Sequence, residues 1–331
     1  MDAEFFTALG RHFQNLKTTD AGQQLLQEAE IRNPWFTRAE LDYCLDTWVN
    51  ALQPQAVEAW LKTTKPTRSP KKVGILMAGN IPLVGLHDLL CVLASGHHAL
   101  VKLSSDDQVL MREVLRFARE YGLPESQSLT EVEQLKGVEA AIATGSNNAA
   151  RYFKQYFGHL PHIIRKNRNS VAYIAPNEPE HTFPLLADDV FHYFGLGCRN
   201  VTHLLLPEGF DPRHLFPYFE SWAHIINHNK YANNYHYHKA ILLMNLDVHL
   251  DNGFVLLKED EKLYSPVGIL HYSFYTDEES AAAYVQKHRE EIQCMVGHAN
   301  FCDTLPGTTQ RPGLQDYADG VNTMDWLMRL G

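Results

Sequence analysis

The sequence predicts an α/β fold of two domains, each built on an open, mainly parallel sheet, behind a helical N-terminal region. Three observations carry this expectation. The chain has 331 residues, 45% of them hydrophobic, which is enough to bury a full core and long enough to divide into two domains. Beyond about residue 70, short apolar runs alternate with helix-period segments, the pattern of parallel strands joined by right-handed crossovers. The polar stretch "KTTKPTRSPKK", with its two prolines, separates that region from the one before it.

Ahead of that boundary the chain reads as short amphipathic helices, "LDYCLDTWVNAL" among them. After it come "VGILMAG" as a strand, "LVGLHDLLCVLASG" as a helix, "ALVKLS" as a strand and "DQVLMREVLRFAREYG" as a helix. The strand "VEAAIATG" and the helix "NNAARYFKQYFG" follow, then the strands "HIIRK" and "SVAYIAP", the helix "HTFPLLADDVFHYF" and the apolar strand "VTHLLLP". A second α/β unit is expected from the helices "PYFESWAHIINH" and "NNYHYHKAILLMN", the strands "FVLLKE" and "VGILHYSFY", and a single helix "DEESAAAYVQKHREEIQCMV". The expected divisions are a helical region over 1–66, a dinucleotide-binding type of domain over 67–174, a second α/β domain over 175–300, and a segment 301–331. That last segment packs back on the first sheet or forms an oligomer interface.

A net charge of −10, with acids and bases scattered along the chain, offers nothing for a phosphate backbone, so no nucleic-acid partner is expected. Early acids in "MDAEFFTALG" argue against a signal peptide. The longest apolar region is interrupted by Asn80, Pro82, His87 and Asp88, which argues against a spanning helix. No membrane partner and a cytoplasmic location are the expectation. Five cysteines, odd in number and with no C-x-x-C pair, suit a reducing compartment, and Cys44, Cys91 and Cys294 read as packing residues in helix-like patterns.

Ligands of open α/β sheets bind beyond the carboxyl ends of the strands, so the residues just after each strand are the ones to inspect. After the first strand, Gly79 permits a sharp turn, Pro82 suits a helix's first turn, and Asn80 is left to face the crevice. After the second stands Lys102, followed by Ser104 and Ser105. After "AAIA" come Gly145 and Ser146, ahead of a helix N-terminus able to receive an anion. Each has an ordinary structural explanation as well: a cap, a solvated charge, a turn. Cys198, in "GLGCRN", is either a nucleophile on a tight loop or a small apolar filler. His228, His236 and His238 lie in a helical pattern where residues two apart diverge, so no metal site is expected, and Asp319 with Gly320 reads as a turn.

Taken in order, "GNIPLVG", "ALVKLSS", "ATGSNNAARYF", "GLGCRNVTHLLLP" and "YSPVGILHYSFYTDEESAAAYV" resemble the aldehyde dehydrogenase superfamily. More narrowly, they resemble the acyl-CoA reductase family typified by the fatty-acid reductase of bacterial bioluminescence. The resemblance runs from about residue 70 to the C-terminus. It implies a Rossmann-like cofactor domain and a catalytic domain carrying Cys198 as nucleophile, with the Asn80 amide and the Cys198 backbone N–H as oxyanion donors. It also implies a nicotinamide cofactor, NADP or NAD, held by Lys102, Ser104, Ser105, Gly145 and Ser146. The substrate would be an acyl-CoA or acyl-carrier thioester, reduced to an aldehyde through a cysteine thioester, and a homodimer is the expected assembly.

Two departures from the superfamily pattern matter. Where its acid-forming members resemble "ELGG", with a glutamate base for hydrolysis, this chain has Arg165, Lys166, Asn167 and Arg168, with no carboxylate. That favours thioester reduction; the basic cluster either meets a CoA phosphate or is a set of solvated charges at a strand end. Ahead of "PVG", Lys262 stands where a glutamate is expected for the nicotinamide ribose, with Glu261 one residue away. Ser104 and Ser105 precede the first acid after Lys102, which leans the cofactor toward NADP. A cysteine acyltransferase or thioesterase with a degenerate cofactor site, and a non-catalytic acyl- or nucleotide-binding protein, are the alternatives.

Overall fold

The computed structural model of the chain describes residues 1–124 and 127–330. It forms two compact units: Met1–Asn167 together with the residues from Pro312 onward, and Arg168–Arg311.

The first unit opens with α1 (Ala3–Leu16), α2 (Asp20–Arg32), α3 (Arg38–Ala51) and α4 (Pro54–Leu61). Asp2, Thr19 and Thr37 cap the first three, each side chain accepting a backbone N–H of the first turn. Phe6, Leu9, Phe13 and Leu16 recur every three or four residues and, with Phe5, bury one face of α1. Then follow β1 (Lys72–Leu76), α5 (Leu86–Ala94), β2 (His98–Lys102), α6 (Gln108–Tyr121), β3 (Leu129–Glu131), β4 (Ala140–Thr144), α7 (Asn147–Phe157) and β5 (His162–Arg165). The five strands are all parallel in the order β3-β2-β1-β4-β5. The middle strands are apolar nearly throughout because both faces are covered: Val73, Ile75 and Ala140 to Ala143 are all buried.

The second unit contains β6 (Asn169–Tyr173), α8 (Thr182–Phe191), β7 (Val201–Pro207), α9 (Phe216–Phe219), α10 (Asn229–Asn245), β8 (Leu250–Asp251), β9 (Leu256–Glu259), β10 (Ile269–Tyr275), α11 (Glu278–Lys287) and β11 (Ile292–Val296). Its sheet runs β11-β6-β7-β10-β9-β8, parallel except for the β8–β9 pair. The chain then rejoins the first unit and ends in α12 (Thr323–Met328). That return is tied down by polar contacts. His97 Nε2–H donates to the Leu327 carbonyl at 2.9 Å, Trp60 Nε1–H donates to the Tyr317 hydroxyl at 3.1 Å, and Arg165 donates to Thr323 Oγ1 at 2.8 Å. None of the described helices is long and apolar enough to cross a membrane.

Several expectations need correcting. Asn169–Tyr173 belongs to the second sheet, between β7 and β11, so the change of sheet comes at residues 167–168 and not at 174. The stretch 277–296 is not one helix: α11 ends at Lys287, and "IQCMV" is an edge strand carrying Cys294. A segment with four apolar residues in five is compatible with either state, and pairing with distant β6 decides it. "PYFESWAHIINH" resolves into short α9 and a 3-10 run Glu220–Asn227, not a single α-helix. Pro82 does not open a helix, since α5 starts only at Leu86.

Candidate active site

In the first sheet the strand order reverses at β1, which lies between β2 and β4, and the crevice at such a reversal is where open sheets hold ligands. Gly79 and Asn80 follow β1, and Gly145 and Ser146 follow β4, so both pairs stand at the carboxyl ends flanking that point. Asn80 is exposed.

The loop from Gly79 to Gly85 has no regular structure, and its shape is imposed from the β2–α6 connection. A Cβ on Gly79 would come within 2.6 Å of Ser104 Oγ, so glycine serves there for close approach and not for a left-handed turn. The sharp bend is at Leu83, with φ of 54°. The Leu83 N–H donates to Asp107 Oδ2 at 2.7 Å. Asp107 is buried, its Oδ1 has no hydrogen-bond partner among the described residues, and burial pushes its carboxyl well above the usual range against the opposing Leu83 bond.

Lys102 is exposed at the end of β2. Ser104 Oγ accepts the Asp106 N–H at 3.3 Å and Ser105 Oγ donates to Asp106 Oδ1 at 3.4 Å, so both hydroxyls have local roles. A groove beside Lys102 is lined by Gln108, Arg112, Arg119, Glu131 and Glu133. It brings the carboxylates of Glu131, at the end of β3, and Glu133, just beyond it, next to the end of β2, a proximity that the spacing after Lys102 did not show. Arg112 is held there by Glu131, at 3.0 and 2.9 Å. Ser146 caps α7 by accepting the Ala149 N–H at 3.2 Å, and a Cβ on Gly145 would meet Phe153 Cε2 at 2.9 Å.

Cys198, half-buried, lies in the second unit on the loop that enters β7, at the amino end of the strand. The turn out of α8 is made by Tyr193, Phe194 and Gly195, with φ of 52°, 57° and 75°. Two non-glycine residues in the left-handed region cost about 1–2 kcal/mol each, offset here by burial of both rings. Gly197 contributes its N–H instead, donating to Asn200 Oδ1 at 2.8 Å, while the Asn200 N–H donates back to the Gly197 carbonyl at 3.1 Å. The buried Asn200 amide nitrogen also reaches the carbonyls of Asp189, Val190 and His192 at 3.2, 3.2 and 2.8 Å. It therefore satisfies the end of α8 and closes the Cys198 loop at once. Ser170 Oγ donates to the Cys198 carbonyl at 3.1 Å and accepts the Cys294 N–H at 3.1 Å. Arg199 donates to Cys294 Sγ at 3.4 Å, so its charge serves a buried strand thiol whose pKa burial nonetheless raises.

Other predicted residues take structural parts. Arg165 is no phosphate ligand: it is buried, donating to Asp88 at 2.8 and 3.2 Å, to the Ala318 carbonyl at 2.8 Å and to Thr323. The Lys262 ammonium is exposed, whereas its carbonyl accepts Nδ1–H from both His203 and His271 at 3.1 Å. Asp189 was not foreseen. Burial raises its carboxyl to about 6 although Gly307 N–H, Thr309 N–H and Thr309 Oγ1 all donate to it. Ser170 was missed because its partners, Cys198 and Cys294, lie far off in sequence, and Asn200 because nothing in its type shows that it will close a turn within eleven residues of itself; Asp107 stood only as the first residue of a predicted helix.

No family model and no curated protein matches the sequence. Solved structures do match the fold. Aldehyde dehydrogenase 21 from Physcomitrella patens, in complex with the reaction product succinate, is 12% identical with a TM-score of 0.67, covering 100% of this chain and 84% of that one. A Mycobacterium tuberculosis aldehyde dehydrogenase complexed with NAD+ is 15% identical, TM-score 0.64, covering 89% and 72%. An E. coli NADP-dependent enzyme is 13% identical, TM-score 0.61, covering 91% and 74%. The chain thus has an aldehyde dehydrogenase-like fold.

Proposed function

We propose that the protein is an acyl-thioester reductase that forms an aldehyde from an acyl-CoA or acyl-carrier substrate, with Cys198 as nucleophile. The supporting observation is the Cys198 loop itself, a half-buried thiol on a turn whose backbone is fixed by Asn200 and Ser170. In the reading proposed, the Cys198 sulfur adds to the thioester carbonyl, the C–S bond to the donor breaks, and the donor thiol leaves, so the acyl group remains as a thioester on Cys198. The Asn80 amide and the Cys198 N–H donate to the oxygen that gains charge, a stabilisation largest in the transition state. Segment 165–168 carries no carboxylate to activate water, which favours reduction over hydrolysis.

The five-stranded parallel order with its reversal at β1, and Lys102, Gly145 and Ser146 at the strand ends, suit a nicotinamide dinucleotide. Solved relatives of this fold include one complexed with NAD+ and one described as NADP-dependent. A bound reduced nicotinamide would supply a hydride to the thioester carbon, and breakage of the C–S bond would release the aldehyde and return the Cys198 thiolate. Ser104 and Ser105 favour NADP, while Glu131 and Glu133 beside Lys102 favour a free ribose hydroxyl, so both cofactors belong in the assay. A cytoplasmic homodimer is part of the same proposal.

The test is consumption of NADPH or NADH on addition of acyl-CoA, with mass spectrometry of the quenched enzyme. An acyl adduct on Cys198 and loss of turnover in Cys198→Ala are expected. Turnover surviving in Cys198→Ala sinks the reading, and acyl transfer without nicotinamide oxidation replaces it with a cysteine acyltransferase.

A further inference from the structure

We infer that Asp107 is a positioning residue for the loop that carries Asn80; this rests on the oxyanion role proposed above. The Gly79–Gly85 loop has neither helix nor strand to hold it, yet it contains a non-glycine residue, Leu83, in the left-handed region. Such a conformation persists only where the surroundings enforce it. Three contacts do so within the first unit. Asp107 Oδ2 accepts the Leu83 N–H at 2.7 Å, Ser104 packs against Gly79 too closely to admit a Cβ, and Cys44 Sγ lies 3.3 Å from the Pro82 carbonyl.

Asp107 is the unusual member. A carboxyl group buried at 3% exposure, with one oxygen spent on a single backbone N–H and the other left without a partner among the described residues, is a poor device for stability alone. It makes sense where one backbone amide must stand in one place. Leu83 is three residues beyond Asn80, so the bond holds the loop at the far end of the bend from the side chain that is to meet substrate. Asp107 opens α6 without accepting any N–H of that helix, so its side chain is committed to the neighbouring loop. It touches no reacting atom and acts only through the backbone that presents Asn80.

The experiment uses the full chain and four variants. Asp107→Leu and Asp107→Ala remove the acceptor, Asp107→Asn keeps one of matching shape, and Asn80→Ala removes the donor that is positioned. Hydrogen exchange read at the Leu83 amide is expected to quicken by about tenfold or more in the Leu and Ala variants and to stay near wild type in Asp107→Asn. In acyl-CoA reduction, kcat is expected to fall toward the value for Asn80→Ala, roughly 100-fold below wild type, with KM changed little. Asp107→Asn restores most of it, and the double variant Asp107→Leu with Asn80→Ala is no slower than Asn80→Ala alone.

Unchanged exchange at Leu83 in both acceptor-free variants overturns the inference, and so does a kcat loss that adds in full to that of Asn80→Ala. A slow Asn80→Ala beside a normal Asp107→Ala overturns the positioning role and leaves the oxyanion reading standing. A normal Asn80→Ala overturns both. If Asp107→Leu does not fold, Asp107→Ala and Asp107→Asn carry the comparison.

Discussion

The two loops that bear the proposed chemistry are held in opposite ways. The Asn80 loop leaves a strand and is braced from outside, by Asp107 and Ser104 on a neighbouring connection. The Cys198 loop enters a strand and is closed largely by its own residue, Asn200, which binds both the loop and the end of the helix before it. The difference teaches where each can be damaged. A loop braced by neighbours answers to changes many residues away, whereas a self-closed loop answers mainly to its clamp. External bracing extends through the first unit, where Arg165 on β5 joins Asp88 on α5 to Ala318 and Thr323 near the C-terminus.

The largest effect is therefore expected from Arg165→Met. It strands the Asp88 carboxylate in a buried site and releases the C-terminal segment, so unfolding by urea should show a loss of about 3–5 kcal/mol. A loss below about 1 kcal/mol would mean that the first unit does not depend on this remote anchor. Asn200→Ala comes next. With several buried carbonyls and the Gly197 N–H left without their partner, about 3 kcal/mol should be lost, and alkylation of Cys198 should change rate as its loop loosens. An unaltered alkylation rate would separate the thiol from its clamp.

Gly79→Ala sharpens the contrast at smaller scale. The new methyl group meets Ser104 Oγ and Cβ, so a loss of about 1–3 kcal/mol is expected, shrinking when Ser104→Gly is added. Equal losses in both backgrounds would place the strain elsewhere. The smallest effect concerns pH. The Asp189 carboxyl titrates near 6 in the folded chain, above its ordinary value of 3.8, so its contribution to stability is full below about pH 3.8 and is lost as pH rises through 6. Buried His203, lowered to about 4 by burial, works in the other direction: it stays neutral in the folded chain, and its contribution falls as pH drops below 6.5. Thermal melts of Asp189→Asn should therefore lose stability more steeply on acidification than wild type, because the His203 slope is then unopposed. A wild-type slope in that variant would mean that Asp189 does not shape the pH dependence of stability.

Much of the fold was legible from local pattern. Strands such as "VGIL" and "AAIA" are apolar on both faces, as only covered parallel strands are, and helices such as α6 and α7 carry the 3.6-residue period. "IQCMV" was misread because a short apolar run fits helix or strand until a distant partner chooses. The positions of Asn80, Lys102, Gly145 and Ser146 at strand ends followed from counting along the chain, and so did the place of Cys198 between helix and strand.

The sequence by itself determined the alternation of strands and helices, the ends at which candidate residues fall, and the lack of a carboxylate at 165–168, because these are properties of neighbours along one chain. Only the tertiary structure decided that Arg165 is buried with Asp88, that Glu131 and Glu133 lie beside Lys102, and that Asp107 and Asn200 hold the two loops. Those facts depend on which side chains burial brings within hydrogen-bond distance, and a hydrogen bond is blind to separation in sequence.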